Sequence, residues 1–191
     1  MTDHDPNPWR GFVLGAVGSA AGMLAMRYYW QVASTVSGGD PRQQRDNPEP
    51  QALDSIALIG KHHEEGESST AAMGRIAYRY IVGQEPESEE TRTTLSYLVH
   101  WGYSMLMGGM YGAIRGHANV PDINGGLALG LGVWFFGDEL TTPLLGLAKG
   151  PTAYPPALHA HACAAHVAYG LATSAATQML SRLIGRDDAT K

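Results

Sequence analysis

The chain has 191 residues, of which 44% are hydrophobic and 16% charged, a length that suits one domain with a packed core. Its net charge of −5 supplies no basic stripe, so nucleic acid is excluded as an expected partner. Cys163 is the only cysteine, which excludes an intramolecular disulfide and a cysteine-built zinc site.

The first apolar stretch, "GFVLGAVGSAAGMLAMRYYWQVA", runs from Gly11 to Ala33. It is close to the roughly 20 residues that a helix needs to cross a bilayer. The leader "MTDHDPNPWR" is acidic and no small-x-small cleavage site follows, so the stretch reads as a retained span rather than a cleaved signal. Tyr28, Tyr29 and Trp30 mark its far end as an interfacial belt does, with Arg27 placed to snorkel.

Residues 37–92 form a polar excursion rich in Asp, Glu, Pro, Gln and Ser. Within it, 37–52 reads as a flexible connection, and Leu53, Ile56 and Ala57 hint at a short amphipathic helix. "HHEEGE", residues 62–67, reads as solvated charge rather than a metal site. In "STAAMGRIAYRYIVG", Met73, Ile76, Ala77, Tyr80 and Ile81 share one helical face and Arg75 and Arg79 fall on another. Ser68 to Thr70 can cap the start of that helix. Two readings of it stay open: it lies on a membrane surface with its aromatics dipping in, or it covers the end of a bundle.

Three more apolar stretches follow, from Leu95 to Ile114, Gly125 to Ala148 and Leu158 to Ile184. Small residues recur in them at intervals of four: Gly18/Gly22, Gly108/Gly112/Gly116, Gly126/Gly130, and the ladder Ala160, Ala164, Ala168, Ala172 and Ala176. Glycine costs a soluble helix about 1 kcal/mol relative to alanine. In a membrane the same spacing lets backbones approach closely, whereas a soluble core favours Leu and Ile at such positions. The expected fold is all-α: a four-span transmembrane bundle with one or two amphipathic helices between the first two spans. Spans of about 11–33, 95–114, 125–148 and 158–184 put both termini on one side, and the basic "SRLIGR" near the C-terminus assigns that side to the cytoplasm.

The third stretch contains "WFFGDELTTPLLG", residues 134–146. Asp138 and Glu139 at a span centre each cost roughly 2.5 to 3.5 kcal/mol on the insertion scale, so they need partners. Adjacent helical residues point about 100° apart, and Pro143 clashes with the carbonyl four residues back, that of Glu139. A kink or break is therefore predicted beside the pair. Candidate partners are His100 and Tyr103 in the second stretch and His166 and Tyr169 in the fourth. The set suits a hydrogen-bond network that fixes helix packing, a proton or ion pathway of His–carboxylate pairs, or a bis-histidine haem between His100 and His166. No cofactor or metal is expected from the pattern as a whole, and no nucleophile motif, phosphate loop or H-E-x-x-H pattern supports catalysis by the carboxylates.

The order of features resembles the YagU-like family of small bacterial inner-membrane proteins, whose biochemical role is undefined. "HWGYSMLMGGMYG", "WFFGDELTTPLLGL" and "HVAYGLAT" carry the likeness, together with the glycine-rich first stretch and the polar segment after it. The resemblance covers roughly 11–184 and implies a multi-pass protein of the bacterial inner membrane. It implies family positions at His100, Asp138, Glu139, Pro143 and His166, and supplies no reaction. The histidines His159 and His161 and the stretch 37–52 have no counterpart in that pattern. The expected role is a non-enzymatic packing partner or accessory subunit, in contact with lipid and with copies of itself or other membrane subunits. The alternative is a proton-conducting or pH-sensing bundle.

Overall fold

The computed structural model describes residues 7–43, 51–115 and 122–187, with side chains described to residue 184. Gly116 of the expected glycine ladder and residues 44–50 of the expected flexible connection lie outside the described residues. The protein is all-α, with no strand among the described residues.

Helix α1 spans Pro8–Val36. Its start is set by Asn7, whose side-chain oxygen accepts from the Trp9 and Arg10 amides at 3.1 and 3.2 Å, and by Pro8 in the first helical position. Helix α2 spans Ser69–Val82 and is capped by the Ser68 hydroxyl, which accepts from the Ala71 amide. Helix α3 spans Glu89–Arg115, with Glu89 and Glu90 in its first turn and Arg115 in its last, each the sign that the helix dipole favours. Helix α4 spans Ile123–Gly132, capped by Asp122 at 2.8 Å from the Gly125 amide. It runs on into a wide π-helical segment, Val133–Thr141, and ends in a single α turn, Thr142–Leu144. Helix α5 spans Pro156–Asp187. Among the described residues one helix, α1, is long and apolar enough to cross a membrane.

The chain forms two compact units whose boundaries fall inside helices. One comprises Met1–Pro41, Ser104–Val133 and His161–Lys191. Its core cluster is Met23, Met26, Ala165 and Tyr169, with Tyr29, Trp30 and Leu129 packed against it. Much of the rest of its interior is small or hydroxylated, with Leu14, Val133 and Gln178 buried among it. Gly11, Gly15, Gly18, Ser19 and Gly22 of α1 are buried, as are Ser104, Gly108 and Gly112 of α3. At the α1–α3 crossing a Cβ on Gly15 would run into the Gly108 carbonyl, and one on Gly108 would stand 2.6 Å from the Gly15 oxygen, so the backbones touch only because both are glycine. Gly18 and Gly22 lie under the Thr177 and Thr173 hydroxyls, and Gly126 and Gly130 of α4 under the backbone of α5 near Gly170 and His166.

On α5 the buried seam is Ala165, Tyr169, Thr173 and Thr177. It runs one residue past the alanine ladder, of which Ala160 is exposed and Ala164, Ala168 and Ala172 are half-buried. Both rows have the same period, and hydrogen bonding decides between them. Tyr169 donates at 2.7 Å to the Ser104 carbonyl on another helix, a bond the alanine row has no group to make, while Thr177 bonds back to the Thr173 carbonyl of its own helix.

The second unit comprises Arg42–Tyr103 and Trp134–Ala160. Here two expectations are corrected. No helix forms at residues 53–57. The Asp54 carbonyl takes the Gly150 amide at 2.8 Å instead of the Leu58 amide, which goes to Leu144 at 2.9 Å. The Asp54 carboxylate is bound by the Gln51 amide and the Thr152 hydroxyl, both at 2.7 Å. Nor is "HHEEGE" merely solvated charge. The Gly146 carbonyl accepts from the His62 amide at 2.8 Å, the His63 amide at 3.0 Å and His63 Nδ1 at 2.9 Å.

The α2 helix turns its apolar face outward. Arg75 is 5% exposed, while Tyr80 is 91% and Ile81 80% exposed, with Met73 and Ala77 exposed beside them. The cause is Glu67, whose side chain is 7% exposed and takes a two-pronged grip from Arg75 at 2.9 and 2.8 Å. The Arg75 guanidinium also donates to the His62 carbonyl at 2.7 Å. Turning α2 over would strand two charges, so the apolar face is left outward.

Candidate functional site

The expected polar network is divided between the two units. Tyr169 and His166 belong to the first. Tyr169 is fully buried on the Ser104 carbonyl, and His166 Nδ1 lies 2.8 Å from the Ala162 carbonyl, one turn back on its own helix. Asp138, Glu139, Tyr103 and His100 belong to the second.

The acidic pair sits in the π-helical segment. A π turn closes amide to carbonyl over five residues instead of four, so Pro143 would there face the Asp138 carbonyl rather than that of Glu139. Proline has no proton to give. The Thr142 hydroxyl takes the Asp138 carbonyl instead, at 2.7 Å, so the orphaned acceptor is satisfied locally. Past Pro143, which is buried, the chain closes one α turn and reverses through Gly146 at φ +67°. The predicted break beside the carboxylates thus takes the form of a widened spiral followed by a stop.

Widening also separates the roles of the two acids. Asp138 is exposed and lies within electrostatic range of Tyr103, whose hydroxyl stands over the Gly137 backbone. Glu139 is turned inward, 16% exposed, and its Oε1 is 2.6 Å from Nδ1 of His159. His159 Nε2 is 2.9 Å from the Pro151 carbonyl, and the Tyr154 ring stands edge-on to the imidazole at 6.2 Å.

Hydrogen inventory fixes much of the chemistry. The Pro151 carbonyl can only accept, so Nε2 carries a proton. The 2.6 Å contact needs one proton between Nδ1 and Oε1, on either atom. Both ring nitrogens are therefore engaged. His159 thus has no free lone pair for a metal in this arrangement. Among the described residues no group of three or more His, Cys, Asp or Glu is gathered as a metal site.

Sequence reasoning missed His159 as the partner of Glu139. The usable signal was "GPTAYPP", residues 150–156, since three prolines force a short return that brings α5's first turns back beside the π segment. His161 likewise has a partner: its Nδ1 lies 2.8 Å from the Tyr29 hydroxyl, with the Trp30 ring 6.2 Å away. Comparison of the chain with protein-family models, with curated proteins and with solved structures returned no match.

Proposed function

We propose that the chain is a multi-pass membrane protein with four spans, related to the YagU-like proteins of the bacterial inner membrane, with both termini in the cytoplasm. Its role in this reading is non-enzymatic: a packing partner or accessory subunit that associates with copies of itself or with other membrane subunits. One observation carries the proposal. In the first unit glycine, serine and threonine line the helix crossings beside a small core of Met23, Met26, Ala165 and Tyr169, while the outward faces carry Val13, Val17 and Leu24 on α1, Leu106 and Met110 on α3 and Met179 and Leu183 on α5. Small residues at the crossings with large apolar side chains facing out is an arrangement that lipid surroundings match.

The half-buried alanine row on α5 supports association, because it leaves a strip of small residues beside the seam already used. Crosslinking and native mass analysis in mild detergent test this. Copies or partner subunits retained on the chain are the expected result; a strictly monomeric particle without partners ends the accessory reading.

The Glu139–His159 contact favours a second reading, a bundle that holds and passes protons. Its test is proton flux in liposomes, comparing the parent with Glu139→Gln and Asp138→Asn. Flux that falls in Glu139→Gln supports it, and flux unchanged in both variants removes it.

A further inference from the structure

We infer that α2 is an interfacial anchor: its exposed apolar face, Met73, Ala77, Tyr80 and Ile81, lies in the boundary between lipid headgroups and acyl chains. The inference rests on the multi-pass reading and adds to it a contact surface and its occupant.

Three observations within one compact unit carry it. First, the face is apolar at helical spacing yet outward, and it is held outward by the buried Arg75–Glu67 pair rather than left so by chance. A soluble covering helix would spend that face on the bundle, whereas an amphipathic helix at a bilayer surface points it at lipid. Second, the attachment point fixes the depth. The α2 backbone at Gly74 packs against Leu95, and the Thr70 hydroxyl meets the Ser96 hydroxyl at 2.8 Å. Leu95 is where the polar start of α3 gives way to the apolar stretch that would enter the bilayer. Third, α3 exposes Tyr97 and Trp101 directly after that point, the residue types that settle at the headgroup level. A helix clamped at the mouth of a span, beside an aromatic belt, meets the bilayer boundary with whatever face it shows. The face shown here is Met, Ala, Tyr and Ile.

The position of the only cysteine makes a clean test. In a Cys163→Ala background, single cysteines are placed at Met73, Tyr80, Val17 and Glu65 of the full chain, spin-labelled, and reconstituted in phosphatidylcholine/phosphatidylglycerol vesicles. Each label is then read for collisions with oxygen, which concentrates in lipid, and with a water-soluble nickel chelate. The expected result is a graded one: Val17 strongly favours oxygen, Glu65 favours nickel, and Met73 and Tyr80 favour oxygen at a shallower depth than Val17. Labels at Met73 and Tyr80 that behave like Glu65, with Val17 still deep, overturn the anchor and leave the multi-pass reading standing. Labels there that are immobilised and silent to both agents also overturn it, because protein then covers the face. A Val17 label that favours nickel removes the multi-pass reading and the anchor together.

Discussion

Replacing Arg75 by methionine keeps the length of the side chain and removes its charge. Glu67 is then a buried carboxylate, 7% exposed, whose remaining donor is the Glu64 amide at 2.9 Å. Removing one member of a buried pair costs about 3–5 kcal/mol, because the other is left uncompensated. At the lower figure the segment from His62 into α2 opens about 100-fold more often, since about 1.4 kcal/mol is a factor of ten. Hydrogen–deuterium exchange of the amides from His62 to Ala72 reads this directly in detergent. The pH dependence has a definite sign. Burial pushes the Glu67 carboxyl up, but the hydrogen bonds from Arg75 and the Glu64 amide outweigh it and hold the group below its ordinary value. A lowered carboxyl stabilises the fold above its unfolded value, about 4.3, and that contribution is lost as pH falls through the folded value. The gap between parent and Arg75→Met should therefore be full near neutrality and close in acid. The double variant Arg75→Met/Glu67→Leu should recover most of the loss. Exchange in Arg75→Met that matches the parent within a factor of about two would refute the claim that this pair sets the face of α2.

Gly15→Leu should unseat the α1–α3 crossing and cost more than the roughly 1–3 kcal/mol of ordinary overpacking, because backbone rather than a flexible side chain stands in the way. Gly102→Leu, which meets open space, is the matched control, and thermal unfolding in detergent separates them. His159→Leu leaves Glu139 and the Pro151 carbonyl without their partner and should cost about 1–3 kcal/mol, whereas an unchanged melting temperature would mean the contact contributes nothing. Gly146→Ala puts a Cβ on a left-handed residue and against the Gly60 carbonyl, so about 1–2 kcal/mol or more should be lost, read as faster exchange at the His62 and His63 amides.

Most of what a single sequence displays is spacing, and spacing located the helices. The glycine rows at intervals of four placed residues that meet backbone to backbone, and Pro143 marked the third apolar stretch as irregular, although the π-helical segment begins well before it, at Val133. Spacing could not say which of two equal rows turns inward. Ala164/Ala168/Ala172 and Ala165/Tyr169/Thr173 have one period, and only the Ser104 carbonyl, distant in sequence, selects the second. On α2 spacing found the apolar face but not what it meets, and the pairing of Arg75 with Glu67 is what keeps Met73, Tyr80 and Ile81 outward. The partner of Glu139 was hidden for a related reason. His166 matched by expected depth in the span, while His159 is reached through a proline-rich turn that helical periodicity does not describe.

The π-helical segment has a consequence for how this chain tolerates change in length. A spiral that fits five residues where four would close a turn carries one residue more than its ladder requires. Deleting a residue between Val133 and Thr141 would return that stretch to ordinary helical closure, at the expense of the bearing that turns Glu139 toward His159. In α1 the same deletion would slide every later glycine off its partner, because Gly11, Gly15, Gly18 and Gly22 make contacts at intervals of three and four with no slack between them. The two helices thus divide the labour of inheritance: one keeps its register fixed, and the other stores a spare residue at the place where its acidic side chains sit.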